Sequence, residues 1–170
     1  MTYKGLQIIE DIHEFFTRQR STLSVAESCT GGYISHLITI LPGASRFFTA
    51  GVVAYSADAK ESILGVSPEC IAEYGVVSEQ TARQMAERMR ELTNSDYSLS
   101  TTGNLGPDVL DQKPRGLVFM AVSRKGGTES TEIKLKGTRG TIKEKASLMA
   151  LQFLLDTAAR AAGERSTSRR

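Results

Sequence analysis

Over the first twenty positions apolar side chains recur every three or four residues. Leu6, Ile9, Ile12, His13 and Phe16 share one stripe, which predicts an amphipathic helix that breaks before Thr22. The period then changes. Leu23 to Ala26 is a short apolar run, read as a strand, that stops abruptly at Ser28-Cys29-Thr30-Gly31-Gly32. Helical spacing returns with Tyr33, Ile34, Leu37, Ile38 and Leu41, so a helix is expected over 32–41, ended by Pro42-Gly43. Phe47 to Tyr55 is β-branched and aromatic and predicts a second strand. Ala57 to Leu64 reads as a short helix carrying Lys60, and Ser67-Pro68 opens another helical turn.

Ser78 caps the clearest long helix, with Ala82, Met85, Ala86, Met89 and Leu92 as its expected buried stripe. Tyr97 to Thr101 predicts a third strand, running into a loop that begins at Thr102-Gly103 and stays polar to Pro114. Leu117 to Val122 is a nearly continuous apolar run, as in a strand buried on both faces. A hairpin turn at Lys125-Gly126-Gly127 leads to Thr128–Lys136, whose alternation suits a half-solvated edge strand. A turn at 137–140 then leads into a last helix, with Ala146, Met149, Ala150, Phe153 and Leu154 facing inward. Strands alternating with helices, closed by a hairpin, predict an α/β sandwich with a mixed, mostly parallel sheet.

Composition narrows this picture without redirecting it. At 170 residues the chain is expected to form one domain over 1–162, followed by a polar tail at 163–170. A hydrophobic fraction of 40% and a charged fraction of 24% are ordinary for a soluble globular protein. A net charge of +2 gives no argument for nucleic acid as a partner. No apolar stretch approaches a membrane span and the first residues do not read as a signal peptide, so a cytoplasmic protein without a membrane partner is expected. A homodimer is compatible with the half-apolar edge strand.

Three strand ends carry unusual chemistry: Ser28-Cys29-Thr30, Tyr55 to Lys60, and Thr102-Gly103. In an α/β sheet they would share one rim, where ligands bind beyond the carboxyl ends of parallel strands. The strand-to-helix turn at 28–32 also aims backbone N–H groups at one spot that favours negative charge. Neither histidine lies at a strand end, which disfavours a Ser-His-Asp triad, and His13 reads as a packing residue. Cys29 and Cys70 match no metal-ligand spacing, so no metal and no cofactor is expected. What remains is a serine with a lysine base, which needs the ammonium pKa lowered by burial or a nearby cation. Lys60 is the candidate base, against the alternative of a solvated surface lysine. Ser28 reads equally as a nucleophile or a helix cap, and Cys29 as a nucleophile or a small buried thiol. Arg139 suits a phosphate clamp or a solvated loop, and Tyr55 a proton relay or rim packing.

Taken together, several segments resemble the CinA C-terminal family, known for nicotinamide mononucleotide deamidase activity. They are Ala26-Glu27-Ser28-Cys29-Thr30-Gly31-Gly32, Pro42-Gly43-Ala44-Ser45, Gly51–Ser56 with Lys60, Leu64-Gly65-Val66, Tyr74–Glu79, Thr102-Gly103 with Gly106-Pro107, and Lys113-Pro114 with Gly116. The resemblance runs from about Leu6 to about Ala158. It implies a three-layer α/β/α fold and a metal-independent serine amidohydrolase acting on a small-molecule pyridine nucleotide. By position, Ser28 would be the nucleophile, Lys60 its activator, and Tyr55 and Ser45 pocket residues. Thr102 and Gly103 would line the ligand site, Arg139 would meet the phosphate, and Cys29, Thr30 and Gly31 beside Gly32 would offer oxyanion donors. The chain departs from the family at Asn104 to Asp111, where a glycine-rich continuation is replaced, and at Thr138, where an aspartate is usual. The altered loop keeps a second reading open, a catalytically weak or inactive nucleotide- or partner-binding module. A third is an amidase for another substrate.

Overall fold

The computed structural model describes residues 3–108 and 110–167, with side chains over 5–108 and 110–163. Five strands form one sheet: β1 (Leu23–Glu27), β2 (Phe48–Val53), β3 (Tyr97–Gly103), β4 (Leu117–Arg124) and β5 (Gly127–Lys134). Their spatial order is β2-β1-β3-β4-β5. β1 pairs in parallel with both β2 and β3, while β4 and β5 are antiparallel additions. The helices are α1 (Tyr3–Gln19), α2 (Tyr33–Thr39), α3 (Ala57–Ser62), α4 (Pro68–Tyr74), α5 (Glu79–Thr93) and α6 (Arg139–Thr167).

Alternation along the strands sorts these helices into two layers. Leu23 and Val25 of β1, Leu99 of β3 and Val118, Met120 and Val122 of β4 face one side, where they pack with α1, α2 and α6 in the larger core. The opposite face presents Ser24, Ala26, Ser98, Ser100 and Ala121, small side chains that let α5 approach through Ala82 and Ala86. Ser100 Oγ donates to the Ala82 carbonyl at 2.5 Å across that contact. The result is the expected three-layer α/β/α sandwich with a mixed sheet.

The topology fixes where a ligand would sit. From β1 the chain passes through α2 to β2 on one side, and from β3 it passes to β4 on the other. Loops leaving β1 and β3 therefore diverge and open a crevice above their carboxyl ends. β2 is parallel to both, so Ser28, Tyr55 and Thr102-Gly103 reach the same rim.

Several expectations need correction. Thr102-Gly103 is not loop but the end of β3, held by pairing to Phe119 and Val118. Arg139 opens α6 rather than lying in the preceding turn. Leu92 and Met149, both expected inside, are 61% and 43% exposed, because the buried stripe of each helix passes beside them, through Ala82, Met85, Ala86 and Met89 in α5. In α6 that stripe is Ile142, Ala146, Ala150, Leu154 and Ala158. The same helix continues through Thr167, past the expected start of the tail, and residues 168–170 lie outside the described residues.

Gly116 turns the chain into β4 with φ +85°, and a Cβ there would lie 1.9 Å from the Leu135 carbonyl oxygen. Neither the left-handed backbone nor the contact tolerates a side chain. Gly116→Ala is expected to destabilise the fold by at least about 1–3 kcal/mol, read as a lower midpoint in urea denaturation.

Candidate active site

β1 carries no charge until its last residue, and the alternation that sends Leu23 and Val25 into the larger core sends Glu27 after them. A fully buried carboxylate must find donors, and this one finds them at the start of α2. It accepts from Gly32 N at 3.0 Å, Ile34 N at 3.0 Å, Ser35 N at 2.8 Å and Ser35 Oγ at 2.8 Å. The helix N-terminus is thereby occupied by the protein's own anion. Ser28 does not cap the helix, and α2 has no side-chain cap from its Gly32. The expectation that the first amides of α2 await an external anion is corrected accordingly. Gly31 N–H is also spent, on the Ser28 carbonyl at 3.0 Å. That leaves Thr30 N–H without an acceptor among the described residues, and Cys29 N–H engaged only by its own thiol sulfur.

Ser28 itself is held by its backbone, whose N–H extends the β1–β3 ladder to the Thr101 carbonyl at 3.0 Å. Its Oγ faces Lys60, which reaches it from α3. Ser56 caps that helix, accepting from Ala59 N at 3.1 Å, and Lys60 follows one turn later. Lys60 is 1% exposed, with Nζ 2.9 Å from Ser28 Oγ and 3.2 Å from the Ala54 carbonyl oxygen. The surface-lysine alternative is excluded by that burial. Desolvation lowers the Lys60 pKa from its ordinary value, partly opposed by the charge of Asp111. Burial pushes the Cys29 thiol up to about 12, so it stays protonated and is a poor nucleophile beside the serine.

Two adjoining cavities meet at this pair. One, of about 260 Å³, is lined by Ser28, Lys60, Val76, Val77 and Thr102. The other, of about 80 Å³, lies between Ser28, Cys29, Asn104, Asp108 and Arg139. Tyr55, Gly103 and Leu110 belong to both. Arg139 donates to the Gly106 carbonyl and to the Tyr55 hydroxyl, joining the start of α6 to the rim. Thr102 turns its Oγ1 to the Val76 carbonyl at 2.6 Å.

The remaining expected site residues fall elsewhere. Thr30 is buried with Oγ1 on Thr101 Oγ1 at 2.8 Å, and Gly31 and Gly32 shape the turn at positive φ without lining either cavity. Ser45 is not brought to the site: it precedes β2, at the end of the sheet opposite Ser28, and is exposed. His13 packs as expected, its Nε2 2.8 Å from the Ile38 carbonyl oxygen. No group of three or more His, Cys, Asp or Glu side chains among the described residues is arranged to hold a metal ion. No helix among them is long and apolar enough to cross a membrane. Sequence reasoning missed the structural role of Glu27, whose signal was a carboxylate ending an apolar strand just before a helix. It also missed Val76, Val77 and Leu110, which carry no local signal.

The family model for the CinA C-terminal domain matches residues 6–158. The chain belongs to the CinA C-terminal domain family. A competence-damage inducible protein of Acetivibrio thermocellus is 45% identical over 134 residues, 78% of this chain and 32% of its own length. A CinA-like protein of Shewanella amazonensis is 40% identical over 147 residues, 85% of this chain and 35% of its own. The chain thus spans about a third of these curated relatives. The crystal structure of a CinA superfamily protein from Enterobacter cloacae superposes with a TM-score of 0.88 at 32% identity, covering 93% of this chain and 94% of that one.

Glu27→Gln keeps the shape of the buried side chain but turns one acceptor oxygen into an NH₂ facing N–H donors. Each donor so orphaned costs roughly 1–3 kcal/mol. A drop of that size in unfolding free energy is expected by urea denaturation, and an unchanged midpoint would show that the carboxylate does not hold α2.

Proposed function

We propose that this domain is an amidohydrolase that converts nicotinamide mononucleotide to nicotinic acid mononucleotide and ammonia, with Ser28 as nucleophile and Lys60 as its base. One observation carries the reading: a buried amine 2.9 Å from a serine hydroxyl at the floor of a cavity. Family membership supports it, since deamidase activity is known among CinA proteins.

Burial favours the neutral amine of Lys60, which accepts the Ser28 proton as Oγ bonds to the carboxamide carbon. The carbonyl electron pair moves to oxygen, where Cys29 and Thr30 N–H are the available donors. The tetrahedral intermediate collapses by breaking the C–N bond, and the nitrogen takes the proton from Lys60 and leaves as ammonia. Water then attacks the Ser28 ester, giving its proton to Lys60. The C–Oγ bond breaks, Oγ recovers the proton, and the acid is released. Ala54 C=O accepts a hydrogen bond from the same amine and orients it toward Ser28. Arg139, already joined to Tyr55, supplies a cation for the phosphate.

Ser28→Ala and Lys60→Ala are each expected to lower ammonia release from nicotinamide mononucleotide by roughly 10³-fold or more. Lys60→Arg, which cannot give up its proton, should be equally inactive. Absence of turnover by the wild-type chain would end the hydrolase reading, and nucleotide-dependent thermal stabilisation without turnover would favour a binding module. The active form carries Lys60 deprotonated, so kcat/KM should rise with pH through the lowered Lys60 pKa. Its acid limb should lie below the ordinary lysine value of 10.5, as read from a pH–rate profile.

A further inference from the structure

The polar residues of the segment after β3 form one connected clamp. Asn104 is 2% exposed and its side chain grips Leu110 by both backbone groups. Leu110 N donates to Asn104 Oδ1 at 3.0 Å, and Asn104 Nδ2 donates to the Leu110 carbonyl at 2.9 Å and the Lys113 carbonyl at 3.0 Å. Flanking this grip, Asp111 Oδ2 accepts from Val77 N at 2.8 Å, and Lys113 Nζ donates to the Tyr74 carbonyl at 2.8 Å and to the Val77 carbonyl. The clamp fixes the Leu110 backbone at both its polar groups, yet Leu110 is 55% exposed and gains little burial from it. Its side chain borders both cavities beside Ser28, facing the space shared with Tyr55, itself 58% exposed. A rigidly held apolar side chain and a phenol at one cavity mouth are suited to cover a flat ring, whose burial would supply what each now lacks.

We propose that Leu110 is a specificity-determining residue, held by Asn104 and Asp111 so that it covers the planar aromatic ring of an amide substrate over Ser28. The inference rests on the hydrolase reading for the identity of that ring. Leu110 selects the ring and leaves the ribose phosphate to other groups.

Calorimetric titration of the full chain with nicotinamide mononucleotide and with ribose 5-phosphate, which lacks the ring, tests this. Leu110→Ala should weaken the nucleotide roughly 5–20-fold, as expected for losing part of a leucine side chain's apolar contact, and leave ribose 5-phosphate unchanged. Its melting temperature should match the wild type, because an exposed leucine adds little to the fold. In turnover the loss should appear in KM rather than kcat. Asp111→Ala, which removes one anchor of the clamp, should reproduce part of the loss, whereas Asp111→Asn keeps an acceptor for Val77 N–H and should retain affinity. Equal weakening of both ligands, or no change for the nucleotide, would overturn the role of Leu110 while leaving the hydrolase intact. A wild-type chain that binds neither ligand and releases no ammonia would overturn both.

Discussion

A lysine amine withdrawn from water must either find acceptors or give up its proton, and that constraint organises the rim of this sheet. Lys60 meets it with two oxygens, the hydroxyl of Ser28 and the carbonyl of Ala54, each at the carboxyl end of a different strand. Those strands are parallel neighbours, so their register sets the distance between the two oxygens. The short helix α3 then delivers Nζ to both. Full burial costs the ammonium more than the neutral amine. Burial therefore lowers the pKa of this amine from its ordinary value.

A buried carboxylate explains why the start of α2 is not itself an open anion site. Glu27 takes the amides of Gly32, Ile34 and Ser35, together with the Ser35 hydroxyl, so the dipole of α2 is answered from within. Carboxylate and helix fix the turn between them, and Ser28 sits in that turn with its own N–H locked to β3. Two adjacent residues thus divide the work. Glu27 faces the core and holds geometry, while Ser28 faces the crevice and meets Lys60. The thiol next to it is silenced by burial.

The crevice is closed on its remaining side by side-chain hydrogen bonds rather than by apolar packing. Asp111 and Lys113 tie the segment after β3 to Tyr74 and Val77, and Asn104 holds that segment together, so Leu110 and Val77 border the same cavity. Glycine at 75 permits this approach: a Cβ there would lie 2.4 Å from the Asp111 carboxylate. A loop with little apolar content can be fixed in this way, because each bond satisfies a group that would otherwise be buried without a partner.

Element order, the two-sided sheet and the strand ends that share a rim followed from the sequence, because hydrophobic period is a local property and parallel strands put their carboxyl ends together. Ser28 and Lys60 were legible for the same reason, each lying just past an apolar run. Tertiary structure decided which of several capable groups meets which. Glu27 rather than Ser28 occupies the start of α2, Ser45 is carried to the far end of the sheet, and Asn104 reaches across to Leu110. Competition for a hydrogen-bond partner is settled by distance in space, and spacing along the chain does not encode that distance for residues on different elements.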